Sequence, residues 1–151
     1  PPVGRETAAS SGLALDVAYL TPDDKPLDPE RLEQGTDFKV RVGVTNSGVR
    51  GDYQEVALSH VVASGWEIRN DRLDPSRARA ASTFDYQDVR DDRVYTYFDL
   101  KAGETKTVEI AANAAYLGRF YLPMITVEAM YDATISARAK GQWVEVVDPG
   151  K

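Results

Sequence analysis

The sequence predicts an all-β fold, an antiparallel β-sandwich of about eight strands, and three observations lead to this prediction. Apolar and polar residues alternate over most of the longer segments, which is typical of strands with one buried and one exposed face. Turn-forming residues recur roughly every 8–12 positions, as in two-sheet sandwiches. Only two windows favour a helix: residues 29–34 give one turn at most, and residues 74–83 give at most a short helix, because good helix formers there lack an apolar stripe.

The predicted strands follow one another along a single domain at residues 13–148. Residues 1–12 are rich in Pro, Gly, Ser and Ala without periodicity, so we expect a flexible linker or tail there. The alternation is clearest in 37–46, where Phe and three valines are separated by polar residues or glycine. Pro123 lies inside a predicted strand and indicates an edge position or a bulge. We predict strands at residues 13–20, 37–46, 53–62, 65–70, 93–100, 104–112, 118–130 and 142–147.

Composition excludes several classes of function. The chain has 151 residues and a net charge of −6, with 24 acidic and 18 basic residues. Phosphate backbones favour clustered cations, so we expect no nucleic-acid partner. No apolar run approaches the roughly 20 residues that span a bilayer, so we expect no direct membrane insertion. No cysteine is present, which excludes disulfides and thiolate chemistry within the chain. The chain begins without methionine, and we expect it to be part of a longer protein.

Catalytic signatures are sparse. His60 is the only histidine and lies in a predicted strand. A Ser-His-Asp site would need a serine and a carboxylate beside it, so we predict a hydrogen-bonded structural histidine instead. A zinc site would need an unusual ligand set. We therefore expect no enzyme and no cofactor.

The acidic segment 84–93 is the best candidate for a metal site. Its carboxylates could ligate Ca²⁺ through oxygen: Asp85, Asp88, Asp91 and Asp92. Their spacing does not match a Ca²⁺-binding loop of the EF-hand type. Because Arg90 and Arg93 stand among these carboxylates, we favour a salt-bridged turn leading into the strand at 93–100.

The C-terminal stretch 127–147 predicts two strands joined by a short polar connection. Met130 and Tyr131 stand where the first of these strands runs into the turn. Turn tips normally carry small or polar residues. Two interpretations remain open: the pair covers the end of the domain's own core, or it contacts something else.

Several segments in order resemble the last domain of bacterial alpha-2-macroglobulins. The resemblance is carried by residues 64–73 with 84–110 and by residues 116–147, and it covers essentially the whole predicted domain. The specific feature is the ordered combination of GWEI at 65–68, RDDR at 90–93 and AMYD at 129–132.

This resemblance implies a macroglobulin-like C-terminal β-sandwich, equivalent to the receptor-binding domain of the animal proteins. It also implies a large periplasmic parent protein that traps proteases in bacterial defence, either free or tethered to the envelope. In many members a Cys–Gln thioester lies in a separate domain and is exposed when a protease cuts a bait region. The expected partners are then other domains of the parent chain, above all the thioester-domain region, and target proteases through the parent.

The resemblance also gives the candidate site residues. Met130 and Tyr131 match a Met-Tyr pair that covers the thioester and keeps water from it. Since some bacterial members lack the thioester, a docking module that assembles with other periplasmic or envelope proteins is the alternative. Its contact surface would be sheet edges or the segment 74–93, including Tyr86, Asp88 and Arg90.

Receptor binding and ligand binding by a free-standing domain are two further functions of such sandwiches. Animal receptor-binding domains use lysines on a helix, whereas residues 69–92 contain no lysine, so receptor binding is not expected here. A free-standing carbohydrate- or Ca²⁺-binding sandwich is a third possibility, which calorimetry with both ligands would test.

Overall fold

The computed structural model describes residues 7–10, 12–48, 51–69, 86–90 and 92–150, and these contain strands and turns but no helix. The described residues form 13 strands: β1 Thr7–Ser10, β2 Leu13–Leu20, β3 Arg31–Glu33, β4 Asp37–Asn46, β5 Tyr53–Val61, β6 Trp66–Ile68, β7 Tyr86–Val89, β8 Arg93–Leu100, β9 Thr105–Ala114, β10 Gly118–Leu122, β11 Ile125–Ala129, β12 Asp132–Ala139 and β13 Gln142–Val147. The all-β prediction is confirmed, with more and shorter strands than the eight expected.

The strands form two five-stranded sheets and one three-stranded sheet. The first has the order β1–β2–β4–β9–β6, the second β12–β11–β5–β8–β7, and the smaller sheet β10–β13–β3. Neighbouring strands run antiparallel except β3 and β13, which are parallel. All three sheets contribute to one hydrophobic core.

Period-two patterning produces this core directly. In β4 the alternate side chains Phe38, Val40, Val42 and Val44 are buried, and those between them are only partly buried. β4 pairs with β2 on one edge and with β9 on the other. One of its faces joins the core, and the other stays partly exposed.

The structure corrects two predictions in the N-terminal third. Residues 29–34 contain strand β3 rather than a helical turn, because Leu32 is buried and the strand pairs with β13. Thr7–Ser10, inside the expected linker, form β1 and pair with β2. Residues 1–6 and the possible helix at 74–83 lie outside the described residues.

The C-terminal third is more divided than predicted. The expected strand 118–130 is split at Pro123 and Met124, so that β10 joins the small sheet and β11 joins β5 and β12. The expected polar connection after Tyr131 is largely strand β12, which closes a hairpin with β11.

His60 is buried completely, but the prediction of a hydrogen-bonded histidine is wrong. Neither ring nitrogen has a hydrogen-bond partner among the residues that the structure describes. Burial without a partner disfavours the charged imidazolium and lowers the pKa of His60 from 6.5 to about 4. The fold therefore holds this histidine neutral.

The neutral His60 should make stability depend on pH. The folded-state pKa lies below the unfolded value, so the unfolded chain binds a proton first as pH falls. This contribution is complete above pH 6.5 and is lost as pH falls towards 4. Between pH 7 and pH 5 it should remove about 2 kcal/mol from the free energy of unfolding, measured by urea denaturation.

His60→Leu is the matched variant for this experiment, since leucine fills a comparable volume and cannot bind a proton. Its stability should change about 2 kcal/mol less than that of the original chain over the same pH interval. An equal pH dependence in both proteins would show that His60 is not held neutral by burial.

Candidate functional site

Met130 and Tyr131 form the two-residue loop of the β11–β12 hairpin, which the pairing of Ala129 with Asp132 closes. Their exposed fractions are 58% and 59%, so neither side chain belongs to the core. More than half of each residue is left exposed, which favours the interpretation in which the pair contacts something else. We call these two residues the hairpin tip.

The hairpin tip has an unusual composition for its position. Two-residue hairpin loops favour small or polar residues such as Asn, Asp and Gly. Here two large side chains project instead, and they expose apolar surface that local turn chemistry does not require. A loop of this kind is suited to contact with another surface.

The hairpin tip is mounted on the core. The last residue of β11, Ala129, pairs with Val56 of β5, which in turn pairs with Phe98 of β8. All three of these side chains are buried. The strands beneath the tip are therefore held by core packing, while the tip itself is free to meet a partner.

Glu55 contacts the backbone of the hairpin tip, and no local sequence pattern indicates this contact. The Met130 N–H donates a hydrogen bond of 2.9 Å to the Glu55 carbonyl. The Glu55 N–H donates to Asp99 Oδ1 at 3.0 Å. The φ angle of Glu55 is +55°, in the left-handed region.

Tyr131→Ala should change the stability of the isolated domain by less than about 1 kcal/mol, because its side chain is more than half exposed. The thermal midpoint should fall by no more than about 4 °C. Tyr53→Ala is the matched control: Tyr53 is fully buried, and its loss should cost roughly 3–5 kcal/mol. A fall of more than about 8 °C for Tyr131→Ala would place Tyr131 in the core.

The second predicted contact segment is a hairpin between β7 and β8. Tyr86 begins β7, opposite Tyr97. Asp88 Oδ2 accepts a hydrogen bond of 3.1 Å from Arg90 Nη2, so the structure brings these two predicted residues together. The carboxylate of Asp88 raises the pKa of the Arg90 guanidinium.

The same turn contains a second ion pair. Asp92 Oδ1 accepts a hydrogen bond of 2.9 Å from Arg93 Nε, and this contact lowers the pKa of the Asp92 carboxyl. The salt-bridged turn is thus present at Asp88 and Asp92. Asp85 and Asp91 lie outside the described residues. Within the described ranges, no three His, Cys, Asp or Glu side chains are grouped closely enough to hold a metal ion.

A third exposed surface, which we call the Trp143 patch, lies on β10 and β13 and consists of Arg119, Tyr121 and Trp143. Tyr121 and Trp143 are directly opposite each other, with their rings 5.4 Å apart in an edge-to-face arrangement. The Arg119 guanidinium carbon lies 4.7 Å from the centre of the Trp143 ring. Both aromatic side chains are about half exposed. The sequence signal was available: each aromatic residue directly precedes a buried apolar residue of its strand and so falls on the opposite face, Tyr121 before Leu122 and Trp143 before Val144.

Within the described ranges, no helix is long and apolar enough to cross a membrane.

Comparison with known proteins gives a consistent result. The family model for the bacterial alpha-2-macroglobulin MG10 domain matches residues 12–133. Alpha-2-macroglobulin of Xylella fastidiosa (strain Temecula1) is 28% identical over 155 residues, covering 92% of this chain and 9% of the relative. That of Pasteurella multocida is 23% identical over 137 residues, covering 91% of this chain and 7% of the relative. The chain therefore spans less than a tenth of the length of these curated relatives.

Solved structures show the same fold. Salmonella alpha-2-macroglobulin reacted with methylamine matches with a TM-score of 0.79 and 21% identity, covering 93% of this chain and 9% of that one. A fragment of native Escherichia coli alpha-2-macroglobulin, from domain MG7 to the C-terminus, matches with a TM-score of 0.80 and 19% identity, covering 94% of this chain and 24% of that one.

Proposed function

Because this chain belongs to the family of bacterial alpha-2-macroglobulin MG10 domains, we propose that it is a non-catalytic part of a protease inhibitor that holds the inhibitor in its resting state. In this proposal the chain is the C-terminal domain of a larger periplasmic parent protein. Its hairpin tip packs on the thioester-domain region and shields the reactive bond from water. Proteases cut the parent elsewhere, and the release of this domain uncovers the bond.

The exposed hairpin tip is the observation that carries this proposal. A thioester is stable only where water and other nucleophiles are kept away. Met130 and Tyr131 project from the end of the β11–β12 hairpin, and together they present two large, mostly apolar side chains to the surroundings. Methionine adapts its shape to the surface it meets, and tyrosine adds a rigid ring with a polar end. Such a pair can exclude water from a neighbouring group without any chemistry of its own.

Two solved structures of one relative guide the test. One solved Salmonella structure is that of alpha-2-macroglobulin reacted with methylamine. Another is a variant of the same protein in which a tyrosine is replaced by glycine. These descriptions belong to the Salmonella protein, and they support the use of methylamine and of a tyrosine substitution as probes here.

The first experiment treats the full-length parent with methylamine and titrates free thiol. Aminolysis of a thioester joins the amine to the acyl carbon and releases the sulfur as a thiol. Release of one thiol per parent molecule is the expected result. No thiol before or after denaturation would mean that the parent has no thioester, and the shielding function would be refuted.

The second candidate function is docking to another periplasmic or envelope protein, and the Trp143 patch is the observation that favours it. Trp, Tyr and Arg carry much of the binding energy at protein interfaces, and here Trp143 contacts both Tyr121 and Arg119 on an exposed sheet face. The ion-paired turn at Asp88 and Arg90 offers a further polar contact. Docking becomes the leading function if the methylamine experiment yields no thiol.

A further inference from the structure

Strand β5 contains a bulge immediately beside the hairpin tip. Tyr53 pairs with Leu100, but the next pair is Val56 with Phe98. Two residues of β5, Gln54 and Glu55, therefore stand opposite the single residue Asp99 of β8. A bulge of this kind redirects the strand and its neighbours, and bulges are concentrated near functional sites.

The backbone conformation of Glu55 is unfavourable for its residue type. A φ of +55° is common for Gly and tolerated by Asn and Asp, but is rare for other residues. If the chain required only a bend here, glycine would supply it without strain. Strained residues of this kind persist when the surrounding contacts determine their conformation, and they occur preferentially at functional positions.

Two hydrogen bonds determine the conformation of Glu55. Its N–H donates to Asp99 Oδ1 at 3.0 Å, which satisfies the amide that the bulge removes from the strand ladder. Its carbonyl accepts from the Met130 N–H at 2.9 Å. The left-handed residue thus connects the end of β8 to the first residue of the hairpin tip.

We propose that Glu55 and Asp99 are positioning residues that set the place of the hairpin tip. Asp99 holds Glu55 in the left-handed conformation, and the Glu55 carbonyl holds the backbone of Met130. The pairing of β11 with β5 ends at Ala129 and Val56. The hydrogen bond from Met130 to Glu55 extends the contact between the two segments by one residue. The side chains of Met130 and Tyr131 then start from a fixed backbone rather than from a fraying loop.

This inference rests on the proposed function for its biological role, since it identifies what keeps the cover over the reactive bond in place. The positioning of the Met130 backbone is a property of the isolated domain. It can therefore be tested independently of the shielding function.

The structural arm measures hydrogen exchange of the Met130 amide by NMR in the isolated domain. Glu55→Val should raise this exchange rate about tenfold or more, because a β-branched residue opposes positive φ. Asp99→Ala should act in the same direction by releasing the Glu55 amide. Glu55→Gly and Asp99→Asn should leave the rate near its original value, since glycine keeps the backbone angle and asparagine keeps the accepting oxygen.

Glu128→Val is the matched control, because it makes the same change at an exposed position of β11 that pairs in regular register with Ala57 of β5. It should leave the exchange rate of the Met130 amide unchanged. If Glu55→Val fails to fold, the comparison of Asp99→Ala with Asp99→Asn carries the test alone. Unchanged exchange at Met130 in both Glu55→Val and Asp99→Ala would overturn the proposal.

The functional arm measures the rate of thiol release by methylamine in the full-length parent with the same substitutions. Glu55→Val and Asp99→Ala should accelerate release, whereas Glu55→Gly and Asp99→Asn should not. If the Met130 amide responds as expected but the parent releases no thiol, the positioning role stands and the proposed shielding function fails. If thiol is released at one rate in all variants, positioning does not serve the shield, and the link between the two is refuted.

Discussion

Replacing Asn46 by leucine should lower the free energy of unfolding of the isolated domain by about 3–5 kcal/mol. Asn46 is completely buried at the end of β4. Its side-chain amide donates to the carbonyls of Gly51, at 2.7 Å, and of Leu100, at 3.1 Å. Its side-chain oxygen accepts from the Gly48 N–H at 2.9 Å. Leucine has nearly the same volume but leaves all three backbone groups without this partner.

The measurement is thermal and urea denaturation of the isolated domain. The expected loss corresponds to a fall in the thermal midpoint of about 8–16 °C at this chain length. Thr45→Val is the matched control in the adjacent position of the same strand. It removes only the exposed hydrogen bond between Thr45 and Thr105, and should cost less than about 1 kcal/mol. A loss below about 1 kcal/mol for Asn46→Leu would show that these three hydrogen bonds do not hold the loops.

Asn46 also supports the candidate site, through the start of β5. The Leu100 carbonyl that it holds belongs to the residue that pairs with Tyr53, at the start of β5. The bulge at Glu55 follows directly, and Glu55 binds the hairpin tip. Loss of Asn46 should therefore loosen the end of the domain that carries the tip.

The regular strands could be predicted from alternation alone. The bounds expected for β2, β4, β8 and β13 are those observed, because each has a continuous apolar face that joins the core. The strand β3 was missed because three residues are too few to show a period, and only its parallel pairing with β13 makes it a strand. The strand β12 was missed because its sequence, DATISARA, buries small alanines and one isoleucine rather than a run of large apolar side chains.

The candidate site was predictable in part. Met130 and Tyr131 stand out in the sequence because bulky residues rarely form a turn, and the structure places them at an exposed hairpin tip. Glu55 could not be identified in this way. Its left-handed conformation arises from the unequal number of residues in β5 and β8 between two paired positions, which no local sequence pattern reports. The burial of His60 follows from its position on the inner face of β5, whereas the lack of hydrogen-bond partners depends on its surroundings in the folded structure, which the sequence does not report.

The substitution Tyr131→Ala should have its largest effect in the full-length parent, in contrast to its small effect on the stability of the isolated domain. Burying a large apolar side chain contributes roughly 1.5–3 kcal/mol. If the burial of Tyr131 stabilises the state in which the thioester is covered, its loss should raise the fraction of molecules with an uncovered thioester by about 10–100-fold. The rate of reaction with methylamine should rise by the same factor.

Tyr121→Ala provides the matched control. Tyr121 is exposed to a similar degree, 52% against 59% for Tyr131, but lies in the Trp143 patch on β10. Its loss removes the same atoms from a different surface of the domain. If the hairpin tip is the cover, Tyr121→Ala should leave the rate of reaction with methylamine unchanged.

The most direct test of the shielding role is the rate of thiol release when the full-length parent, its Tyr131→Ala variant and its Tyr121→Ala variant are treated with methylamine. We expect one thiol per molecule in all three proteins, released about 10–100-fold faster from Tyr131→Ala and at the original rate from Tyr121→Ala. Equal rates in the three proteins, or no thiol in any of them, would contradict the assignment of the hairpin tip as the shield of a reactive bond.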